Sequence, residues 1–392
     1  MQQRRSIKHI LRGFIENEKS GGFILIICTL ISILLANSNI GAQYISFWNS
    51  NLGSHSVAEW INDGLMAIFF FLIGLELIQE IHEGELSDFR RASLPISAAL
   101  GGMLIPAALY LLLNWGTDTH AGFGIPMATD IAFALGILSL LGKRVPTSFK
   151  VFLTALAVID DLGAIIVIAI FYTASLAWAN LLIALGIFIL LLLLNKKFRV
   201  SNITPYIIGG VVMWYFMLHS GIHATIAGVL LAITIPYERN VSKNPSKKVQ
   251  HILHHPITYF VLPLFALANT AMPIEGNWQQ AMGEPFALGI LLGLIVGKPL
   301  GILLFSFISV KSGLCNLPHG MKWKGMLGIG MLGGIGFTMS IFITLLAFND
   351  RIHYVNESKL MILLASLISG IIGYVWLNYI LRQENKPNQI CG

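Results

Sequence analysis

Two long apolar runs with acidic residues near their centres constrain this chain more than any other feature. They lie within Gly122–Ile170 and are joined by a short basic turn; Thr129 and Asp130 lie in the first run, and the neighbours Asp160 and Asp161 lie in the second. About 20 apolar residues are enough for a helix to cross a bilayer. A carboxylate at the centre of such a helix costs roughly 2.5–3.5 kcal/mol to insert. We therefore interpret the acidic residues in these two runs as functional.

The composition is that of a chain that lies mostly within a membrane. Hydrophobic residues make up 55% of the 392 residues, charged residues make up 11%, and the mean hydropathy is +0.74, whereas a soluble domain carries about 25% charged residues. We therefore expect one all-α integral membrane domain over 1–392, with twelve transmembrane helices and no large soluble part. The apolar segments place these helices at 21–36, 58–78, 94–114, 122–141, 149–172, 178–194, 203–218, 222–236, 257–272, 286–308, 325–348 and 359–381.

The distribution of basic residues predicts the orientation. Every Lys and Arg apart from Lys298, Arg351 and Lys359 falls on the side that holds both termini, and by the positive-inside rule that side is cytoplasmic. The net charge of +6 and the pI near 9.2 then reflect topology, so nucleic acid is not an expected partner. A cleaved signal peptide ending near Ala36 is the alternative for the first span, but the polar segment before it is long and every later loop repeats the same orientation.

Three segments outside the spans carry further expectations. The segment 1–19 has one apolar helical face and predicts an amphipathic helix on the inner membrane surface. The outer loop 37–56 contains an alternating stretch and a turn, which fits a small β-hairpin as well as a plain loop with interfacial aromatic residues. The inner polar loop 237–256 carries His251 and His254, which either titrate near neutral pH or are simply solvated.

Acidic residues also mark the two ends of the second span. Asp63 lies near its outer end, Glu76 lies near its inner end, and Glu80 follows with several more charges. Acids at the inner mouth of a protein that is basic on that side can concentrate cations by focusing the field. A solvated loop with ordinary charges is the alternative.

Glycine and proline cluster in the fourth and eleventh predicted spans. The eleventh contains Gly333, Gly334 and Gly336 among five glycines within Gly325–Gly336, and each glycine weakens a helix by about 1 kcal/mol relative to alanine. Close helix packing through small residues is one explanation. The other is a pair of discontinuous helices, which we favour because each lies at the centre of a triplet of spans. That correspondence predicts inverted repeats with an ion site near the membrane midplane.

The mid-span charges suggest how such a site works. Asp160 and Asp161 are consecutive, so they point about 100° apart on a helix, and we expect one to face an ion and the other a partner. Lys298 is the only basic residue in the interior of any predicted span and is the obvious counter-charge, although a purely structural ion pair with Asp160 stays open. Carboxylates of Asp161 and Asp130, the Thr129 region and carbonyls freed by an interrupted helix offer the oxygen ligands that a hard cation requires.

Competition between a cation and protons at such a site is enough for exchange. Burial disfavours the charged form of a carboxylate, so an acid that crosses with a cation can return protonated. No cofactor is expected, because the three cysteines have no metal-binding or redox spacing.

Six motifs, spread in order over nearly the whole chain, resemble the NhaA family of bacterial sodium/proton antiporters. They are PMATDIAFALGILSLLGKRVP, ALAVIDDLGAI, SGIHATIAG, PLFALANT, IVGKPLGI and GGIGFTMSIF. The resemblance implies twelve helices, with the fourth and eleventh unwound and crossing at mid-membrane. It implies electrogenic exchange of inner-side Na+ or Li+ for protons across the bacterial inner membrane, activated at alkaline pH. It also implies a homodimer through a hairpin within Tyr44–His55.

The resemblance also implies a role for individual residues. Asp160 and Asp161 would be the essential acids, with Asp161 the main cation ligand. Asp130 and Thr129 would support the site, and Lys298 would pair with Asp160. The inner funnel and pH response would involve further residues found in or near the family's motifs: Asp63 (WIND), Glu76 (GLE), Glu80, His223 (SGIHAT), His251 and His254.

The chain departs from the family pattern at Ile78 and Gln79, where we expect a Lys-Arg pair, and at Gln250, where we expect Glu. These positions leave the exchange itself unaffected but put its pH profile in doubt. Two rival functions remain. An aspartyl intramembrane protease requires a glycine-flanked acid that is not present here, so we do not expect an enzyme. A sodium-coupled symporter or a channel is closer, but the spans hold few polar residues to recognise an organic substrate.

Overall fold

The computed structural model describes residues 19–173, 176–238, 244–274, 278–349 and 351–384. The amphipathic helix predicted at 1–19 therefore lies, apart from its last residue, outside the described residues. Nearly all regular structure in the described ranges is helical. The helices are α1 (Lys19–Ala36), α2 (Gly41–Asn49), α3 (Val57–Glu83), α4 (Phe89–Leu113), α5 (Ile131–Leu140), α6 (Thr147–Phe171), α7 (Trp178–Lys196), α8 (Thr204–Leu218), α9 (Ile226–Thr234), α10 (Pro245–Asn269), α11 (Trp278–Ala281), α12 (Pro285–Lys311), α13 (Trp323–Gly333), α14 (Phe337–Ala347) and α15 (Ile352–Glu384), with short 3₁₀ segments at Glu85–Ser87, His120–Met127 and Gly142–Arg144.

Most of these helices are long and apolar enough to span a membrane. Eight satisfy that description alone, counting His120–Leu140 as one, and two bent pairs raise the number to ten. The pair α1 and α2 bends by 114°, and the pair α13 and α14 bends by 48°. Two further predicted spans correspond to the shorter helices α8 and α9. The protein is thus an all-helical membrane protein, while the count of twelve spans and the inverted repeats remain predictions.

The outer segment 37–56 differs from a simple loop. Strands Asn51–Leu52 and His55–Ser56 pair as a minimal antiparallel hairpin, and Gly53 in its turn has a φ of +76°, a conformation that favours glycine. The alternating residues Tyr44 and Trp48 are helical, within α2. A spacing of four places both on one helix face; Trp48 is buried there. The prediction of a strand from the alternation of Tyr44 and Trp48 was therefore wrong.

The inner segment 237–256 is helical from Pro245 onward, so the prediction of a loop there was wrong. Asn244 caps α10, its side chain accepting from the Lys247 amide, and Pro245 occupies the first turn, both of which favour a helix start. The polar composition of this segment obscured the amphipathic start of a helix, in which Val249 is buried. Residues 239–243 lie outside the described residues.

Helices α4 and α12 pack closely, which places Lys298 of α12 against α4 in the centre of the bundle. Helices α4 and α12 cross at Gly101 and Gly301, where a Cβ on either residue would lie within about 2 Å of the other's carbonyl oxygen (2.1 and 2.0 Å). Only glycine permits that approach, as is common where membrane helices pack. We call the end of the bundle formed by the turns 84–88, 142–146 and 312–322, with the start of α10, the basic end.

Candidate ion-binding site

Two interrupted helices meet at the centre of the molecule. The 3₁₀ segment His120–Met127 ends in extended backbone before α5 begins at Ile131. Likewise, α13 ends at Gly333 and α14 begins at Phe337, so Gly334 and Gly336 lie in the gap. The Asp130 amide donates to the Ile335 carbonyl at 2.6 Å, which joins the two breaks directly.

Asp130 lies at the N-termini of two half-helices, α5 and α14, which run from the two breaks toward opposite ends of the bundle. Its Oδ1 accepts from the Phe133 amide of α5 at 3.0 Å. Its Oδ2 accepts from the Thr338 amide at 3.0 Å and from the Thr338 hydroxyl at 2.6 Å, in α14. The N-terminus of a helix carries a partial positive charge. The buried carboxylate therefore offsets two helix ends at once, and both of its oxygens have partners.

Lys298 provides the opposite charge at the other half of the same break. Its Nζ donates to the carbonyl of Met127, the last residue of the 3₁₀ segment, and lies 2.9 Å from Asp160 Oδ2. Both side chains are fully buried. A π-helical turn, Gly293–Gly297, directly precedes Lys298, and such turns are frequent at functional sites. Lys298 thus offsets the partial negative charge at the end of the 3₁₀ segment and the negative charge of Asp160.

Thr129 connects Asp160 to the second break. Its hydroxyl lies 2.7 Å from Asp160 Oδ2 and 3.0 Å from the Gly333 carbonyl, and can donate to either. The threonine is fully buried. With this hydroxyl and Lys298 both on Oδ2, the other oxygen of Asp160 has no partner in the described part of the chain.

Asp161 is the acid without partners. It is fully buried, and neither of its carboxylate oxygens has a hydrogen-bond partner among the described residues. Thr154 and Val158 lie seven and three positions before it, on the same face of α6, and both line a cavity. Asp161 therefore lies beyond the end of that cavity farthest from the basic end, while Asp160, about 100° round the helix, faces Thr129 and Lys298.

The cavity has a volume of about 510 Å³ and leads from the basic end toward the site. It brings together four residues of the predicted inner funnel, Glu76, Glu80, His251 and His254, and the last two are exposed. Gln79 and Gln250, where the chain departs from the family pattern, line the same cavity.

Asp63 and His223, also assigned to the funnel, do not line this cavity. The Asp63 carbonyl accepts from the Trp214 indole at 2.9 Å. The His223 Nε2 lies 3.1 Å from the Tyr172 carbonyl, just after α6 ends. Asp63 lies near the start of α3 and His223 lies just before α9 begins, both away from the basic end, so the structure separates them from Glu76 and the two histidines.

Several residues that position the site were not predicted from the sequence. Thr338 holds Asp130, and Ser340 Oγ donates to the Ile125 carbonyl at 2.7 Å. The Tyr172 hydroxyl donates to the Ala121 carbonyl at 2.6 Å and accepts from the Gly124 amide at 3.2 Å. The available signal was the presence of hydroxyl residues just after a glycine-rich break, because backbone groups freed by a break must be satisfied inside the membrane.

The carboxylate oxygens of the site differ in whether they have partners. At the site, those without a hydrogen-bond partner among the described residues are Oδ1 of Asp160 and both oxygens of Asp161, whereas both oxygens of Asp130 are bonded. Within the described ranges no three His, Cys, Asp or Glu side chains are grouped so that they could hold a metal ion. Buried charges held at crossed, interrupted helices are typical of secondary transporters. That is the class of membrane protein that this fold and site define.

Comparisons with known proteins identify the family. The sequence model of the family described as Na+/H+ antiporter 1 matches residues 12–377. The chain is 63% identical over 375 residues to the Na(+)/H(+) antiporter NhaA 1 of Flavobacterium johnsoniae, covering 96% of this chain and 98% of that one. It is 58% identical to the NhaA of Flavobacterium psychrophilum, covering 97% and 99%. The chain therefore belongs to the NhaA family of Na+/H+ antiporters. Members of this family are named as transporters and not as enzymes. NhaA is itself a standard example of the interrupted-helix architecture.

A solved structure supports the fold. The sodium proton antiporter MjNhaP1 of Methanocaldococcus jannaschii aligns with a TM-score of 0.53 over 96% of this chain and 99% of that one, at 15% identity. At that identity the likeness concerns the arrangement of helices alone.

Proposed function

We propose that this chain exports Na+ in exchange for protons, with Li+ as an alternative substrate, across a bacterial inner membrane. The observation that carries the proposal is Asp161, a fully buried acid with no partner in the described chain, next to a cavity that begins at the basic end. Membership of the NhaA family supports the same exchange. The basic end would face the cytoplasm, with both termini on that side.

The exchange follows from competition for one set of oxygens. Asp161 would hold Na+ through its carboxylate, with Asp160 Oδ1 within the same buried environment, because a hard cation takes oxygen ligands. Without the cation, desolvation favours the protonated acid. Na+ and protons therefore displace one another. Asp160 would remain paired with Lys298 while the ion is bound, which divides the work between the two neighbouring acids.

The exchange would also be electrogenic and regulated by pH. If more protons than Na+ ions cross per cycle, each net charge is worth about 2.3 kcal/mol per 100 mV, or roughly fifty-fold in a gradient at about 1.4 kcal/mol per decade. Glu76 and Glu80 line the cavity together with His251 and His254. Loss of negative charge at the two acids would reduce the local concentration of Na+.

We also propose that two copies associate through the outer hairpin within 44–55. Within the described residues the strands Asn51–Leu52 and His55–Ser56 pair only with each other, and Leu52 is 65% exposed at the tip. The edge of such a hairpin can pair with a second copy of itself. Deleting the hairpin should convert a dimer into a monomer in size-exclusion chromatography with light scattering.

Sodium-driven proton movement tests the main proposal. In energised everted vesicles, added Na+ should release protons from the acid lumen and dequench a pH-sensitive dye at pH 8.5. Asp161→Asn should abolish the signal, while Asp118→Asn, which changes an exposed acid in a turn, should leave it intact. A silent wild-type protein, or a full response from Asp161→Asn, would exclude the mechanism.

A competing enzymatic function fits the geometry less well. An aspartyl protease would require two carboxylates that face each other, whereas both oxygens of Asp130 are bonded to the N-termini of α5 and α14. A channel is distinguished by the same vesicles, because a channel would pass Na+ without moving protons.

A further inference from the structure

A second cavity, of about 680 Å³, lies at the basic end and is separate from the ion site. It is bounded by the turn before α4, the start of α6 and the turn after α12. Arg90 and Arg91 of the first turn of α4 and His319 of the opposite turn line it, and all three are exposed. Glu85 is the one acid of its lining. With two arginines against one carboxylate, the cavity has a net positive charge.

The two arginines of this cavity lack ionic partners among the described residues. In the described part of the chain neither Arg90 nor Arg91 forms an ion pair. Ser148 Oγ, which also lines the cavity, has no hydrogen-bond partner among the described residues. Ser148 occupies the second position of α6, a helix of 25 residues whose N-terminus has no side-chain cap. Free backbone amides at a helix start favour an anion.

The cavity is also placed for a ligand that has an apolar part. Leu94, Pro95, Val151 and Leu314 contribute apolar surface to it, and Leu314 is 56% exposed. Val151, near the start of α6, is 38% exposed. A charged head group in the cavity would therefore lie beside two apolar side chains, Val151 and Leu314, that are open to the surroundings of the bundle.

We propose that this cavity binds the phosphate head group of an anionic phospholipid. Arg90 and Arg91 would contact the phosphate oxygens, since guanidinium groups match phosphate geometry, and the Ser148 hydroxyl and the start of α6 would complete the site. The exposed apolar side chains of Val151 and Leu314 beside the cavity favour a lipid over free inorganic phosphate, which shares the charged chemistry but has no acyl chains.

The magnitude can be estimated from the two arginines. A basic residue near an anionic membrane surface contributes about 1 kcal/mol. Replacing both, in Arg90→Gln/Arg91→Gln, should weaken binding of the lipid about thirty-fold, which corresponds to about 2 kcal/mol at 1.4 kcal/mol per decade. Glu85→Gln removes the opposing charge and should strengthen binding about five-fold. The opposite sign of the second variant keeps the proposal testable even if the double variant folds poorly.

Native mass spectrometry of the full chain, purified in detergent, measures this binding directly. Phosphatidylglycerol should bind to the wild type more tightly than phosphatidylcholine, and millimolar inorganic phosphate should not displace it. Arg144→Gln/Lys248→Gln removes two exposed charges from the same end without touching the cavity and should bind like the wild type. Equal losses in both double variants, no preference over phosphatidylcholine, displacement by inorganic phosphate, or no gain with Glu85→Gln would each overturn the proposal.

Discussion

Replacement of Lys298 by methionine tests the central charge arrangement most directly. The substitution keeps the length of the side chain but removes the only cation within hydrogen-bonding distance of Asp160 among the described residues. Breaking a buried pair by removing one partner typically costs 3–5 kcal/mol, since an uncompensated charge remains. The Met127 carbonyl also loses its lysine, and an unsatisfied buried acceptor costs about 1–3 kcal/mol. We expect Lys298→Met to lower the free energy of unfolding by at least about 3 kcal/mol.

The double variant Lys298→Met/Asp160→Asn separates the two costs. With the acid neutral, only the carbonyl remains unsatisfied, so the loss should shrink to about 1–3 kcal/mol. The coupling energy between the two positions should then be about 2 kcal/mol or more, far above the value for independent sites. The single variant should also recover stability toward low pH, because a neutral carboxyl needs no counter-charge.

Reversible unfolding in mixed detergent micelles, followed by circular dichroism, gives these free energies. Lys248→Met, at an exposed lysine of the basic end, serves as the control and should stay within about 0.5 kcal/mol of the wild type. Strictly additive losses at Lys298 and Asp160, or a single variant whose stability does not depend on pH, would refute the reasoning.

Three further predictions follow from the same geometry. The apparent affinity for Na+, measured by dye dequenching, should weaken about ten-fold per pH unit wherever one proton competes with the ion; an affinity that is flat between pH 6 and 9 would contradict competition. Thr338→Val should destabilise the protein by about 1.5–3 kcal/mol through the lost bond to Asp130, while Thr338→Ser should retain most of that stability; equal losses in thermal unfolding would argue against this hydrogen bond. In proteoliposomes, Na+-driven proton movement should accelerate when valinomycin and K+ dissipate the opposing potential; an unchanged rate would indicate electroneutral exchange.

The long helices were predictable because each combines an apolar run with a turn signal. Helices α4, α6 and α12 begin and end within a few residues of the expected positions. The failures have local physical causes. Tyr44 and Trp48 are four residues apart, a spacing that suits one helix face as well as an alternating strand. The start of α10 carries a helix-capping Asn-Pro pair, but its polar composition outweighed that signal.

The site was predictable where chemistry leaves few choices. Lys298 was the only basic residue in the interior of a predicted span, and it lies beside Asp160. The contact of Thr338 with Asp130 was not predictable, since it joins positions 208 apart in the chain and depends on how two breaks cross. The same applies to the separation of Asp63 and His223 from Glu76, because sequence position does not reveal which residues line one cavity.

The two neighbouring aspartates also explain how an ion could influence the interrupted helices. Asp161 lies beyond the end of the cavity farthest from the basic end, and the preceding residue, Asp160, contacts Lys298 and Thr129. Lys298 in turn holds the Met127 carbonyl, and Thr129 reaches the Gly333 carbonyl. A change of charge on Asp161 can therefore affect the Met127 and Gly333 carbonyls, which end the first segment of each broken helix. A ligand shifts a conformational equilibrium only through different interactions with its two states, and at this site those differences can arise within a single shell of contacts.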